Sequence, residues 1–267
     1  MPRFAANLSM LFTELPLLAR FEAAARAGFV GVEMMFPYEA SPQVLAAAQS
    51  ANNLDMVLIN APPGDFAAGE RGIAGIPGRE AEFERGLLQA LEYADHLDCP
   101  RVHVMAGLTH QGARRRTWVE NLRRGAHVAA AAGVTLLVEP INQRDMPGYL
   151  VSHTREALAL IALVDAPNVR LQLDLYHRQI MEGDLIAAIR EYVEFIAHVQ
   201  IAQPPDRGEP DRGEIAYPEV LAALDEAGYQ GWVGCEYRPR TSTLEGLDWL
   251  KSWWPSSDIK SSLTDRD

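Results

Sequence analysis

The feature that most limits what this chain can fold into is an alternation repeated eight times. Short apolar runs of β type lie near Phe4–Leu8, Val30–Met34, Met56–Ile59, Arg101–Met105, Val134–Glu139, Val169–Asp174, Ala197–Ile201 and Gly231–Glu236. Between them run segments with apolar residues three and four apart, such as Leu15–Ala27, Glu80–His96, Arg115–Ala132 and Thr154–Val164, the spacing of amphipathic helices. Gly28, Gly133 and Gly228 each stand just before the next run, as helix stops do. Thr13 with Pro16, and Ser41 with Pro42, resemble helix starts. Eight strand–helix units of this kind predict a single (β/α)8 TIM barrel. The competing architecture is an open doubly wound sheet.

We expect residues 1–254 to form that barrel and the polar, aperiodic stretch 255–267 to be a frayed tail. With 267 residues and 48% hydrophobic composition the chain can bury one large core. A net charge of −12 argues against nucleic acid as a partner, yet it permits an anionic small substrate, because the local field of a cleft outweighs the total. Cys99 and Cys235 are the only cysteines, so neither a disulfide framework nor a zinc ribbon is expected. No apolar segment approaches the roughly 18 residues that span a bilayer, so no membrane partner is expected. Met1-Pro2-Arg3 opens onto a strand-like run without a signal-peptide profile. The expectation is a soluble cytoplasmic protein.

Four of the runs end in metal-seeking side chains: Glu139, Asp174, Gln200 and Glu236. Residues at the carboxyl ends of barrel strands form the mouth where active sites sit. A carboxylate at a buried strand end costs several kcal/mol unless paired or metal-bound. Any one of these carboxylates alone is as well explained by an arginine or by loop amides; three together are not. Three carboxylates and one amide oxygen form a donor set for Mg²⁺ or Mn²⁺ rather than Zn²⁺. Of the seven histidines, His103 and His198 are expected to be packed and hydrogen-bonded. His177, three residues past Asp174, would lie in a loop above the metal and could bond a substrate oxygen. Arg207, in the Pro/Gly-rich loop after Gln200, could grip a carboxylate in a bidentate fork, or else pair at the surface with Asp206 or Glu209. Long loops at Asn60–Gly78, Asn142–Ser152 and Ala202–Tyr217 would all stand on the strand-exit face.

These parts suggest a reaction. Moving a carbonyl between neighbouring carbons requires taking a proton from the adjacent carbon, and the enediolate that results needs Lewis-acid stabilisation by a divalent cation. One carboxylate can remove the proton and a second group can return it.

The chain resembles the hydroxypyruvate isomerase family of xylose-isomerase-like TIM barrels. The resemblance is carried by Leu137-Val138-Glu139-Pro140-Ile141-Asn142 with Asp145-Met146-Pro147-Gly148-Tyr149, by Leu173-Asp174-Leu175-Tyr176-His177 through Asp184, by His198-Val199-Gln200-Ile201-Ala202, by Pro205-Asp206-Arg207-Gly208-Glu209-Pro210, and by Gly231-Trp232-Val233-Gly234-Cys235-Glu236-Tyr237. It implies Glu139, Asp174, Gln200 and Glu236 as metal ligands, Glu139 and Glu236 as the acid–base pair, and His177 and Arg207 as substrate contacts. It further implies a short hydroxy-oxo acid as substrate, hydroxypyruvate or a 2-oxo-tetronate, and is compatible with a homo-oligomer. Gln200 stands where related ketose 3-epimerases place histidine, which favours the isomerase branch. A ketose 3-epimerase, a non-catalytic barrel and an abasic-site endonuclease are the alternatives.

Overall fold

Each of the eight apolar runs forms a parallel strand. They are β1 (Arg3–Asn7), β2 (Gly31–Met34), β3 (Asp55–Asn60), β4 (Arg101–His103), β5 (Thr135–Val138), β6 (Val169–Asp174), β7 (Ile196–Ile201) and β8 (Trp232–Cys235). In this computed structural model, which describes residues 2–251, they close in sequence order, β8 pairing back onto β1. The open-sheet alternative is therefore excluded. The expected tail at 255–267 lies outside the described residues.

The helices are α1 (Leu17–Arg26), α2 (Pro42–Ala51), α3 (Glu80–His96), α4 (Arg115–Ala131), α5 (Thr154–Val164), α6 (Leu175–Met181), α7 (Leu185–Tyr192) and α8 (Tyr217–Glu226). A four-residue turn of helix, Asp248–Lys251, follows β8. Each helix buries one stripe against the strands; α3 does so with Phe83, Leu87, Ala90, Leu91 and Ala94. Covering a leucine such as Leu87 contributes about 1.5–3 kcal/mol. Pro42 occupies the first turn of α2 after Ser41, as expected, although the serine side chain makes no capping bond. Gly28 and Gly133 take positive φ, 96° and 71°, which lets the chain turn sharply from helix to strand.

The crossover from β6 to β7 departs from the expected pattern. It holds two helices, and His177 lies in the first turn of α6 rather than in a loop. Asp174 starts that helix: its Oδ1 accepts from the backbone N–H of Tyr176 at 2.8 Å and of His177 at 3.4 Å. An acceptor so placed satisfies otherwise orphaned helix donors.

Side chains alternate along each strand. Outward residues such as Val32, Val102, Leu136 and Val233 meet the helices in the main core. Ala5, Val57, Leu58, Leu137 and Trp232 form a separate apolar cluster, to which β1, β3, β5 and β8 all contribute; it fills the lower barrel interior. Above it the interior becomes polar.

Candidate active site

The polar half is built by continuing the same inward register. On β6 the alternate residues Arg170, Gln172 and Asp174 follow one another, and on β7 His198 and Gln200 do. Glu139 and Glu236 come one residue after β5 and β8. Glu139, Asp174, Gln200 and Glu236 are all buried, so the strand ends named from sequence converge at one end of the barrel. The three long loops rise around this end: Phe66 and Arg71, Asp145 and Met146, and Pro205 and Arg207 line one cavity of about 1010 Å³ with Glu139 and Glu236.

Glu139, Asp174 and His177 each offer a ligand atom within 4.8 Å of the others. His177 Nε2 lies 3.7 Å from Glu139 Oε1 and 3.6 Å from Asp174 Oδ2. Its tautomer follows from its neighbours. The Asp145 backbone N–H donates to Asn142 Oδ1 at 2.7 Å, which turns the Asn142 amide nitrogen, 2.7 Å away, toward His177 Nδ1. Nδ1 then accepts and Nε2 carries the proton, so His177 presents a donor to the centre.

Glu236 points elsewhere. Its Oε1 accepts from Arg207 Nη2 at 2.7 Å, and its Oε2 accepts from the Gln200 amide nitrogen. Arg207 Nη2 also reaches Asp174 Oδ2 at 3.2 Å. Neither surface partner expected for Arg207 is used, and Glu209 pairs with Arg240 instead. Arg207 holds φ +55°, a conformation costing on the order of 1 kcal/mol outside glycine, and it stays there bridging two buried carboxylates.

Gln200 was expected to offer its oxygen. That oxygen accepts from Gln172 Nε2 at 2.6 Å, while Gln200 Nε2 donates to Glu33 Oε1 at 2.8 Å and to Glu236. Two carboxylates on one side of the amide select its nitrogen, and a half-turn would exchange the two atoms.

Glu33 itself was missed from sequence. It accepts from Asn7 Nδ2 at 3.0 Å and lies 2.6 Å from His198 Nε2, so His198 is the bonded, packed histidine expected. A side chain at Gly234 would overlap the Glu33 carboxylate; only glycine leaves the acid room. The signal was present: Glu33 sits between Val32 and Met34 in a strand, at the inward position paired with Asn7. His103 differs from expectation. It is buried, yet neither ring nitrogen has a hydrogen-bond partner among the described residues, and Nε2 lies 3.6 Å from Glu139 Oε2.

Burial sets the electrostatics. It pushes the Glu139 carboxyl well above its ordinary value, helped by Glu236 and Asp174. Burial raises Glu236 to about 8, against the pull of Arg207, and raises Asp174 in the same sense, again opposed by Arg207. Burial and the neighbouring Arg207 charge hold His177 well below its usual value. Burial, with His177 and His198 nearby, lowers His103 to about 3. Both imidazoles are therefore neutral. Three crowded carboxylates against one guanidinium form an oxygen-rich, electron-rich pocket that suits a hard divalent cation.

Residues 21–253 match the family model described as xylose isomerase-like TIM barrel. A 2-oxo-tetronate isomerase of Cupriavidus necator is 51% identical over 257 residues, covering 95% of this chain and 99% of that protein. The hydroxypyruvate isomerase of Escherichia coli is 47% identical, covering 94% and 98%. The chain belongs to the hydroxypyruvate isomerase family. Like these relatives it is an isomerase. A crystal structure from Brucella melitensis, titled AP endonuclease, family 2, superposes with a TM-score of 0.93 at 51% identity, covering 96% of this chain and all of that one. A 3-keto-D-glucoside 4-epimerase of Escherichia coli shares the fold, with a TM-score of 0.77 at 22% identity. Among the described residues of this family member, no helix is long and apolar enough to cross a membrane.

Proposed function

We propose that the protein is a divalent-metal-dependent isomerase of a short hydroxy-oxo acid, interconverting the ketone form with the aldehyde or neighbouring ketone. Hydroxypyruvate and 2-oxo-tetronates are the substrates named for its relatives. The observation that carries the reading is the convergence of Glu139, Asp174 and Glu236, all buried, at the mouth of the barrel. Buried carboxylates this close are costly to hold without a compensating cation.

In this reading Glu139, Asp174 and Glu236 would hold one Mg²⁺ or Mn²⁺, and Gln200 would offer its oxygen in the other orientation of its amide. When bound, such a cation supplies Lewis-acid polarisation of adjacent carbonyl and hydroxyl oxygens. The remaining work falls to the chain's own groups. One of Glu139 and Glu236 takes the proton from the carbon beside the carbonyl, the other gives a proton to the former carbonyl carbon, and the hydroxyl hydrogen passes to the former carbonyl oxygen, so that only the position of the carbonyl changes. His177, protonated at Nε2, donates to a substrate oxygen and so fixes which carbon faces the base. Arg207 contacts the reacting end of the substrate while holding Asp174 and Glu236 apart from other partners. The small-molecule acid is the partner; nucleic acid is not.

The experiment is a panel of hydroxypyruvate, 2-oxo-tetronates and free ketohexoses with Mg²⁺ or Mn²⁺, followed by NMR. Isomerised acid product, abolished by chelation and restored by the metal, supports the reading. Epimerised ketohexose without acid turnover replaces it with the epimerase alternative, and nicking of abasic DNA with the endonuclease.

A further inference from the structure

A cavity of about 1010 Å³ lies at the wide end of the range for ligand pockets. Shape alone does not select a three- or four-carbon acid in such a space, so charge on the wall has to. Three arginines line the cavity: Arg71, Arg207 and Arg238. Arg207 already spends Nη2 on Asp174 and Glu236, and its Nε is shut away from solvent with no hydrogen-bond partner among the described residues. Arg238 is exposed, and an exposed charge is screened by solvent and salt. Arg71 is half-buried.

Arg71 is also held and oriented. Its guanidinium lies 3.8 Å from the Phe66 ring centroid. Nη1 donates to the Phe66 carbonyl at 3.0 Å and the Glu70 carbonyl at 2.6 Å. Those two bonds use both hydrogens of Nη1. The Nε–Nη2 edge, which matches the two oxygens of a carboxylate, has no partner among the described residues. The adjacent acid, Glu70, is committed to Arg79 and to the Asp65 backbone N–H. The loop that carries Arg71 is fixed to the barrel. Gly72 takes φ +106°, and a side chain there would overlap the Met105 carbonyl just past β4; Gly75 donates to the Ala106 carbonyl at 2.9 Å.

We infer that Arg71 is the specificity-determining residue of this site, binding the carboxylate of the substrate through its Nε–Nη2 edge and so selecting oxo acids over neutral sugars. The inference rests on the isomerase reading above and deepens it by separating the two ends of the substrate. Arg207 and His177 serve the reacting carbons; Arg71 takes the charged end.

The test compares hydroxypyruvate with dihydroxyacetone, in which a hydroxymethyl group replaces the carboxylate. In Arg71→Ala the ratio of kcat/KM for the acid over the neutral ketose falls roughly tenfold or more, mainly through KM, as expected when uniform binding is lost. Arg71→Lys, which keeps charge but not the fork, recovers part of the ratio. Metal content and thermal midpoint serve as folding controls. A parallel calorimetric titration with glycerate and with glycerol reads binding without turnover. If wild-type protein isomerises the acid but the ratio is unchanged in Arg71→Ala, or both substrates weaken equally, the inference is overturned and the isomerase reading stands. If no oxo acid is turned over, yet Arg71→Ala loses glycerate binding that wild type shows, the isomerase reading fails and the carboxylate site stands. Wild-type protein that does not prefer glycerate to glycerol sinks the inference directly.

Discussion

Leu137 and Glu139 sit on one face of one chain segment, a single pleat apart, and they belong to opposite halves of the barrel. Leu137 joins Ala5, Val57, Leu58 and Trp232 in a dry cluster. Glu139 joins Asp174 and Glu236, with Gln200, Glu33, His103 and His198 beneath or beside them. Both halves are buried, the upper one opening onto the cavity, yet burial stabilises one and raises the energy of the other. Apolar side chains gain from leaving water, whereas carboxylates and imidazoles lose hydration that only partners can replace. The lower half holds the barrel shut; the upper half keeps groups in states they would not adopt in solution.

The contrast can be broken from the top. Replacing Glu139 with Gln is predicted to reduce turnover by about a thousandfold or more, while the melting temperature of chelated protein holds or rises. A folded variant with substantial residual activity would remove Glu139 from the acid–base pair. From the bottom, Leu137→Ala is expected to cost about 2–5 kcal/mol in denaturant unfolding. Its kcat per folded molecule should stay near wild type; a collapse of kcat in fully folded protein would mean that the two halves are not separable.

The upper half should also show itself through pH. Glu236 ionises near 4.5 in an unfolded chain but only near 8 when buried, so within that window the folded state keeps a proton the unfolded chain has lost. Stability of chelated protein is therefore fully present below about pH 4.5 and declines as pH rises toward 8, by on the order of a few kcal/mol. Saturating Mg²⁺ should flatten or reverse the slope, because ligands must deprotonate to bind. Thermal melts at several pH values with and without metal check this, and a chelated protein that gains stability across the window would contradict it. The smallest effect concerns His103, whose ring nitrogens lack hydrogen-bond partners among the described residues. His103→Leu is expected to stabilise the protein by about 1 kcal/mol while lowering activity through the loss of a neighbour 3.6 Å from Glu139. Destabilisation with full activity would mark it as a packing residue.

Much of the fold was legible because its signals are local. The limits of α3 and α5 agree residue for residue with the spacing of their apolar side chains, and the glycines before β2 and β5 mark turns that a positive φ requires. The strand ends could be named because an acid terminating an apolar run is unusual in any fold. The first helix of the β6–β7 crossover, α6, was not legible, since it depends on Asp174 acting as a cap rather than on periodicity. Glu33 was passed over because its meaning lies in His198 and Gln200, 165 and 167 residues away.

By itself, then, the order of amino acids determined the eight-fold alternation, the faces of the helices and the placing of Glu139, Asp174, Gln200 and Glu236 at the ends of strands. Those follow from the pitch of a helix, the pleat of a strand and the cost of burying charge. Tertiary structure alone decided that Arg207 bridges Asp174 and Glu236, that Gln200 turns its nitrogen toward two acids, and that Arg71 stands at the cavity wall with one edge unpaired among the described residues. Partner choice among polar groups depends on distances of a few ångströms between segments far apart in the chain, and no local pattern encodes those distances.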